Sequence, residues 1–263
     1  MSDVVLVEVA DRIGTVTLNR PEVRNALNAD LRRDLPAAME RLDADDDVDV
    51  VIVTGADPAF CAGLDLKELA SRPAAATKGG GRSPMVAPRP RGPFPPMTKP
   101  VIGAVNGVAI TGGLEIALNC SFLIASDRAR FADTHSRVGV MPSWGLTVLL
   151  PEAVGVRKAR EMSTTGNFLD AAEALQFGLV NRVVPHEQLM PFTRQIALDI
   201  IGNDQRGVRR MLETYAATTR TSVEEGWEVE RRMATEWQDI AFDPTEVGRR
   251  RADIMKRGRA QIR

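Results

Sequence analysis

The sequence has few of the residues that mark disulfide-bonded, metal-binding or nucleic-acid-binding proteins. Only two cysteines, Cys61 and Cys120, occur among 263 residues, without CxxC spacing. This argues against a disulfide framework or a zinc site, and we expect both thiols to be small packed side chains. The formal net charge of −1 argues against binding nucleic acid or an anionic membrane through bulk charge.

Long apolar segments are also absent. No uncharged apolar run approaches about 18 residues, and no basic segment followed by an apolar one opens the sequence. We therefore expect a cytoplasmic protein. Hydrophobic residues make up 44% and charged residues 26% of the chain, which is typical of a globular protein. At this length, one α/β domain with a helical appendage is favoured over two equal domains.

The hydrophobic pattern predicts alternating strands and helices over residues 1–190. Strands are predicted at residues 4–9, 15–18, 48–53, 101–105, 121–125 and 179–184. Helices are predicted from Asn28 as N-cap to about residue 42, at 66–70, 113–119, 145–152 and 157–163, and from a capping box at Asp170. Pro36 is expected to kink or break the first helix. Residues 191–263 are expected to be helices that pack on the core or on neighbouring subunits.

Residues 71–96 differ in composition from their surroundings. They are mostly proline, glycine, alanine, arginine and serine, which cannot bury enough apolar surface to order the segment strongly. We predict a mobile loop. A lid over a nearby site and a dispensable insertion are equally good interpretations of it.

Two glycine-bearing stretches, residues 55–67 and 99–115, are the most informative part of the sequence. Each has the pattern of a strand, a glycine-rich turn and the first turn of a helix, where backbone N–H groups are free to meet an anionic oxygen. Two such groups from separate segments would form an oxyanion hole. Glu115 lies in the opening turn of the second helix, so the pattern indicates an enzyme that stabilises an enolate and moves protons beside it. The alternative is that the glycines only allow tight packing.

These stretches resemble those of the crotonase family, the enoyl-CoA hydratase/isomerase superfamily. The resemblance extends over nearly the whole chain as an ordered set of segments. The segments are residues 17–21, 25–27, 60–67, 99–115, 171–174 and 178–180.

The resemblance implies an α/β fold, a crotonase-like spiral of ββα repeats. The spiral core with the site would occupy residues 1–190, and a helical region at 191–263 would form homotrimers that often pair into homohexamers. The implied substrate is an acyl-CoA thioester, with no cofactor besides the coenzyme A of the substrate. Its carbonyl oxygen would lie between the N–H groups of Leu64 and Gly112. The resemblance further implies that Ala62, Asp65, Leu66 and Lys67 line the CoA groove, with Lys67 near a phosphate.

One position departs from the family pattern. The family's hydratases use two glutamates; Glu115 matches the first, whereas His135 occupies the place of the second. An imidazole near its ordinary pKa of about 6.5 can give or take a proton at neutral pH, so we predict Glu115 and His135 as the catalytic residues. Asp133 is a less favoured substitute because its side chain is shorter. His186, the other histidine, is expected at the surface.

The first-choice function is the addition of water to a trans-2-enoyl-CoA. Because hydration is most efficient with two positioned proton-transfer groups, the missing glutamate leaves alternatives open. One is a 3,2-enoyl-CoA isomerase with Glu115 as single base; another is an acyl-CoA binder of reduced activity. A serine hydrolase is disfavoured, because residues 141–145 lack the leading glycine of G-x-S-x-G.

Overall fold

A computed structural model of the protein describes residues 3–71, 92–219, 221–240 and 242–261. The chain divides into two compact units, Met1–Arg209 and Arg210–Arg263. Most of the predicted mobile loop at 71–96, and with it the possible lid, lies outside the described residues.

Ten strands and eleven α-helices occur in the described part of the chain. The strands are β1 (Val5–Ala10), β2 (Ile13–Leu18), β3 (Val50–Gly55), β4 (Ala59–Cys61), β5 (Val101–Val105), β6 (Val108–Ile110), β7 (Phe122–Ser126), β8 (Arg130–Ala132), β9 (Leu169–Asp170) and β10 (Arg182–Val184). The helices are α1 (Ala29–Ala44), α2 (Leu66–Ala70), α3 (Gly112–Leu118), α4 (His135–Val138), α5 (Leu146–Val154), α6 (Val156–Thr165), α7 (Ala171–Gln176), α8 (Leu189–Ile201), α9 (Gln205–Thr218), α10 (Val223–Ile240) and α11 (Pro244–Gln261). The helix cap predicted at Asp170 is confirmed as a capping box with Glu173.

The strands form two sheets that alternate along the chain. The larger sheet has the order β1-β2-β3-β5-β7-β10 and the smaller sheet the order β4-β6-β8-β9. In each of the repeats β3-β4-α2, β5-β6-α3 and β7-β8-α4, the first strand joins the larger sheet and the second joins the smaller one. This arrangement confirms the predicted spiral of ββα repeats.

The central strands of the larger sheet, β3, β5 and β7, are buried on both faces, as their continuous apolar runs predict. Successive side chains of a strand point to opposite faces. In β3, Val51 and Val53 join the main core, whereas Val50 and Ile52 join a second cluster with Leu189 and other residues of α8. Helix α8 thus covers the outer face of this sheet, while the main core lies on the opposite face.

Helix α1 begins where the sequence predicts and ends later. The Asn28 side chain accepts a hydrogen bond from the Leu31 N–H at 2.9 Å, which confirms the N-cap. The helix continues through Pro36 to Ala44, so of the two predicted effects of this proline, a kink or a break, the break does not occur. Proline removes one helical hydrogen bond, but the side chains that precede and follow it bury an apolar face in the main core. The buried apolar residues of this face are Leu31, Leu35, Ala38, Met39 and Leu42.

Asn25 joins the segment before α1 to the turn that leads into β4. Its side-chain amide donates to the carbonyl oxygens of Ala56 at 2.8 Å and Ala59 at 2.7 Å. Its side-chain oxygen accepts from the Arg20 N–H at 2.8 Å. Because the Asn25 side chain is fully buried, these bonds satisfy backbone groups that water cannot reach.

The second unit, Arg210–Arg263, is helical in its described residues, as the sequence predicts. Several of its large apolar side chains are exposed, among them Tyr215, Val223 and Trp227. Across the described chain, every helix is too short or too polar to cross a bilayer.

Candidate active site

The first glycine-bearing turn directs the Leu64 N–H away from the neighbouring chain segment. Gly63 has a φ of +82°, a conformation that glycine adopts without the clash of a Cβ atom. Leu27 forms a parallel bridge with Leu64: its N–H donates to the Gly63 carbonyl at 2.7 Å, and its carbonyl accepts from the Asp65 N–H at 3.2 Å. In such a bridge the N–H of the middle residue points to the opposite side. The Leu64 N–H is therefore available to a ligand.

The second turn presents the Gly112 N–H, at the start of α3. This amide has no carbonyl one helical turn before it. Thr111, the preceding residue, has a φ of +55°, which costs about 1–3 kcal/mol in a non-glycine residue. Two contacts hold it there: its N–H donates to the Ala132 carbonyl at 2.9 Å, and its hydroxyl lies 2.6 Å from the Thr134 hydroxyl.

The two turns are in direct contact. A Cβ atom built on Gly63 would lie 2.7 Å from the Ile110 carbonyl oxygen and 3.5 Å from the Gly112 nitrogen. One built on Gly113 would lie only 2.1 Å from the Cys61 carbonyl oxygen. The start of α3 therefore packs on the backbone of β4 at a distance that only glycine permits. The contact is consistent with both interpretations of the glycines, tight packing and an oxyanion hole. Tight packing is what brings together the two turns that carry the N–H groups.

Cys61 contributes to this packing as a buried side chain. It is fully buried in the main core, and burial raises the pKa of its thiol to about 12. The thiol is therefore protonated at neutral pH and a poor nucleophile. This confirms the expectation of a small packed residue.

Glu115 lies one turn into α3 and is buried, with 3% of its surface exposed. One carboxylate oxygen, Oε1, accepts a hydrogen bond from the Trp144 N–H at 2.7 Å. The other, Oε2, lies 3.6 Å from Nε2 of His135. The Asn119 side chain, at the end of α3, donates a second hydrogen bond to the segment before α5, to the Trp144 carbonyl at 2.9 Å. The carboxylate is thus fixed on one side and faces His135 on the other.

His135 is the first residue of α4 and is also buried. Its Nδ1 lies 2.6 Å from Oδ1 of Asp133, and its backbone N–H donates to the same oxygen at 3.1 Å. Burial lowers the pKa of His135, but the hydrogen bonds and charges of Asp133 and Glu115 outweigh it and raise the pKa to about 9. Burial raises the pKa of Asp133, and hydrogen bonds from His135 and Ser163 outweigh this effect and lower it.

The sequence predicts Asp133 only as a less favoured substitute for the second glutamate and does not indicate the roles of Thr111 and Thr134. In the structure, Oδ1 of Asp133 lies within hydrogen-bond distance of the His135 ring. The only sequence signal for that bond is the spacing of two residues between an acid and a histidine. The Thr111–Thr134 contact joins residues 23 positions apart, and no local pattern indicates it.

The segment predicted to bind coenzyme A comprises the first turn and the residues that follow it. Asp65 caps α2 by accepting from the Lys67 and Glu68 N–H groups, and it pairs with Arg20 at 3.2 Å. Leu66 and Lys67 are exposed, and Ala62 is half-buried. Two of the four predicted groove residues thus present their side chains to solvent, while the Asp65 carboxylate is engaged in holding the turn.

His186, which the sequence places at the surface, is only partly exposed and makes two side-chain contacts. It is partly buried: Nδ1 lies 3.1 Å from the Ser126 hydroxyl, and Nε2 lies 3.1 Å from Oδ2 of Asp57. Asp57 also accepts from the Asn106 side chain at 2.8 Å. These residues lie at or just after the ends of β3, β5, β7 and β10, so the ring connects segments along one edge of the larger sheet. Among the described residues, no group of three or more His, Cys, Asp or Glu side chains is arranged to hold a metal ion.

The contact between Gly113 and Cys61 can be tested through stability. Gly113→Ala should lower the free energy of unfolding by about 3 kcal/mol or more, because the new methyl group must displace backbone. Gly248→Ala is the matched control: it lies in α11, where its Cβ position has no described atom within 4 Å apart from the adjoining backbone of its own helix, and it should stabilise the protein by about 0.5–1 kcal/mol. Urea unfolding followed by circular dichroism measures both. A Gly113→Ala protein as stable as wild type would show that the two turns are not packed this closely.

Comparison with known proteins identifies the family of the chain. The family model described as enoyl-CoA hydratase/isomerase matches residues 8–242. The chain is 42% identical over 199 residues to "Probable enoyl-CoA hydratase 1, peroxisomal" of Arabidopsis thaliana, covering 76% of this chain and 73% of that one. It is 36% identical over 200 residues to the "Short-chain-enoyl-CoA hydratase" of Clostridium acetobutylicum, covering 76% of each.

A solved structure shows the same likeness. The crystal structure of enoyl-CoA hydratase from Mycobacterium tuberculosis H37Rv superposes with a TM-score of 0.74 and 50% sequence identity, covering 89% of this chain and all of that one. The ββα spiral is therefore the crotonase-like fold, and the chain belongs to the enoyl-CoA hydratase/isomerase family, the crotonase family.

Proposed function

We propose that the protein is a 2-enoyl-CoA hydratase that adds water to a trans-2-enoyl-CoA, with no cofactor beyond the coenzyme A of its substrate. The observation that carries this proposal is the pair of buried proton-transfer groups, Glu115 and His135, held 3.6 Å apart. Hydration needs a proton removed from water at C3 and another delivered at C2, and two positioned groups make this efficient. An isomerase needs only a single base, so it leaves the second group without a task.

The two turns supply the other half of the proposed site. The N–H groups of Leu64 and Gly112 would donate to the thioester carbonyl oxygen. Withdrawal of electrons onto that oxygen makes C3 electrophilic, and the same two hydrogen bonds stabilise the enolate that forms when water adds. One such donor is typically worth about 3 kcal/mol of transition-state stabilisation. The contact of Gly63 with Gly112 supports the convergence of these groups.

Ala62, Asp65, Leu66 and Lys67 are proposed to line the groove for coenzyme A. The support is their position on either side of Leu64, with the Lys67 side chain exposed. The homotrimer or homohexamer also remains a prediction. It is supported by apolar side chains exposed on α9–α11, such as Tyr215 and Trp227. The mass measured by sedimentation in solution distinguishes trimer from hexamer.

A cytoplasmic location is proposed from the sequence alone; the Arabidopsis thaliana relative is named as peroxisomal.

The activity is tested with crotonyl-CoA, whose conjugated-thioester absorbance falls as water adds. Glu115→Gln should reduce kcat by about 10²–10⁴-fold, because the amide cannot exchange a proton as a carboxylate does. Glu40→Gln, at an exposed position of α1, is the matched control and should retain wild-type kcat. Equal rates for wild-type and Glu115→Gln protein would refute the hydratase assignment. A 3-enoyl-CoA offered in parallel tests for the isomerase, since conjugation would then make the absorbance rise.

The groove is tested by removing one exposed charge. Lys67→Gln should raise KM for crotonyl-CoA several-fold while kcat stays within about twofold, because a phosphate contact remote from C2 and C3 contributes equally to substrate and transition-state binding. The rise should shrink at high salt, where exposed charges are screened. An unchanged KM at low salt would place the CoA phosphates elsewhere.

A further inference from the structure

Asp133 is the third buried ionisable group of the site, and the proposed hydration reaction as described so far assigns it no role. Its side chain is only 2% exposed. Its carboxylate accepts from the His135 backbone N–H, lies 2.6 Å from the His135 ring nitrogen Nδ1, and is hydrogen-bonded by the Ser163 side chain. A carboxylate engaged in this way is directed at the histidine.

The bond to Asp133 determines which ring nitrogen is free. A carboxylate accepts hydrogen bonds but does not donate them, so Nδ1 must carry a proton. Nε2 is then the nitrogen that faces Oε2 of Glu115 at 3.6 Å. Any proton that His135 exchanges with substrate or with Glu115 must pass through Nε2.

The surroundings of the ring favour its charged form. Asp133 from the β8–α4 connection and Glu115 from α3 are the charged groups that face it. Helix α6, which packs against α4, contributes the neutral Ser163 to this cluster. Arg137, on the same helix as His135, points instead to the Thr165 carbonyl and the Asn167 side chain. A buried ring between two carboxylates is stabilised as a cation, in agreement with the raised pKa of about 9.

We propose that Asp133 is a positioning residue that holds the His135 ring with Nε2 toward Glu115 and makes His135 the imidazolium proton donor, with Glu115 as the base. The proposal rests on the hydratase function. The Glu115 carboxylate takes a proton from water as the water oxygen bonds to C3, and the electrons of the C2–C3 double bond move onto the thioester oxygen. The Nε2 proton of His135 is then transferred to C2 as the carbonyl re-forms. The proton on Glu115 returns to Nε2 across the gap between the two side chains, which restores both groups.

The first test is the protonation of the ring in the wild-type protein. The chain has only two histidines, so ¹⁵N nuclear magnetic resonance of the imidazoles gives two sets of signals, and His186→Gln protein assigns them. At pH 7 we expect both nitrogens of His135 to carry protons, with a midpoint near pH 9. A neutral His135 ring at pH 7 would overturn the proposal, whether or not the protein hydrates crotonyl-CoA.

The second test removes the charge of Asp133 while keeping its shape. Asp133→Asn should move the His135 midpoint down by about one pH unit or more. At pH 10, above both midpoints, kcat for crotonyl-CoA should fall about tenfold relative to wild type with KM little changed, because about ten times fewer rings carry the donor proton. The alkaline limb of the kcat profile should shift by the same amount as the ring midpoint, which a purely structural role would not produce.

Asp57→Asn is the matched control, because it removes the carboxylate beside the other histidine. It should leave the His135 midpoint unchanged and kcat within about twofold. An unchanged midpoint in Asp133→Asn, or a fall in kcat without a shift of the alkaline limb, contradicts the proposal. A wild-type ring that titrates as expected in a protein without hydratase activity would instead reject the proposed function.

Discussion

The close backbone contact between β4 and the start of α3 is the constraint on which the rest of the site depends. The Cys61 carbonyl meets Gly113 where no side chain fits. This contact follows from the order of the smaller sheet, in which β4, β6 and β8 are parallel neighbours. Parallel strands carry the segments that follow them to one edge of the sheet. These three strands are followed by the turn at Gly63, the turn at Gly112 and the segment with His135. Successive repeats therefore place the residues of one candidate site next to each other.

The short segment from Ala132 to His135 supports both halves of that site. Ala132 and Thr134 hold Thr111 in its strained conformation, which sets the direction of the Gly112 N–H. Asp133 holds the His135 ring. A displacement of this segment would therefore disturb the proposed oxyanion hole and the proposed proton transfer together. The strain at Thr111 is of the kind that surrounding contacts must maintain, and such strain is common at functional sites.

The sequence predicted the larger sheet better than the smaller one. β5 was placed at its observed residues, because a continuous apolar run marks a strand that is buried on both faces. The strands β4, β6 and β8 have three residues each, too few for an alternating pattern to show. Only the family resemblance implied them. Helix α1 passes through Pro36 because tertiary packing outweighs local propensity.

In the candidate site, too, the sequence predicts features that lie within one segment and misses contacts that depend on the folded backbone. Glu115 and the two glycine turns are visible in the sequence because each belongs to one strand–turn–helix segment. The bond between Asp133 and the His135 ring depends on the backbone between them: Thr134, with φ of −103° and ψ of 16°, turns the chain so that the carboxylate meets Nδ1. Residue types alone do not encode that bend.

The central claim is that two backbone amides, those of Leu64 and Gly112, polarise a thioester carbonyl beside Glu115. Infrared difference spectroscopy of crotonyl-CoA labelled with ¹³C at the carbonyl, bound to Glu115→Gln protein to prevent turnover, tests this most directly. The carbonyl stretch should move to lower wavenumber than in free crotonyl-CoA in water, because two fixed donors withdraw more electron density than solvent does. A bound substrate whose carbonyl band stays at its position in water would contradict the account.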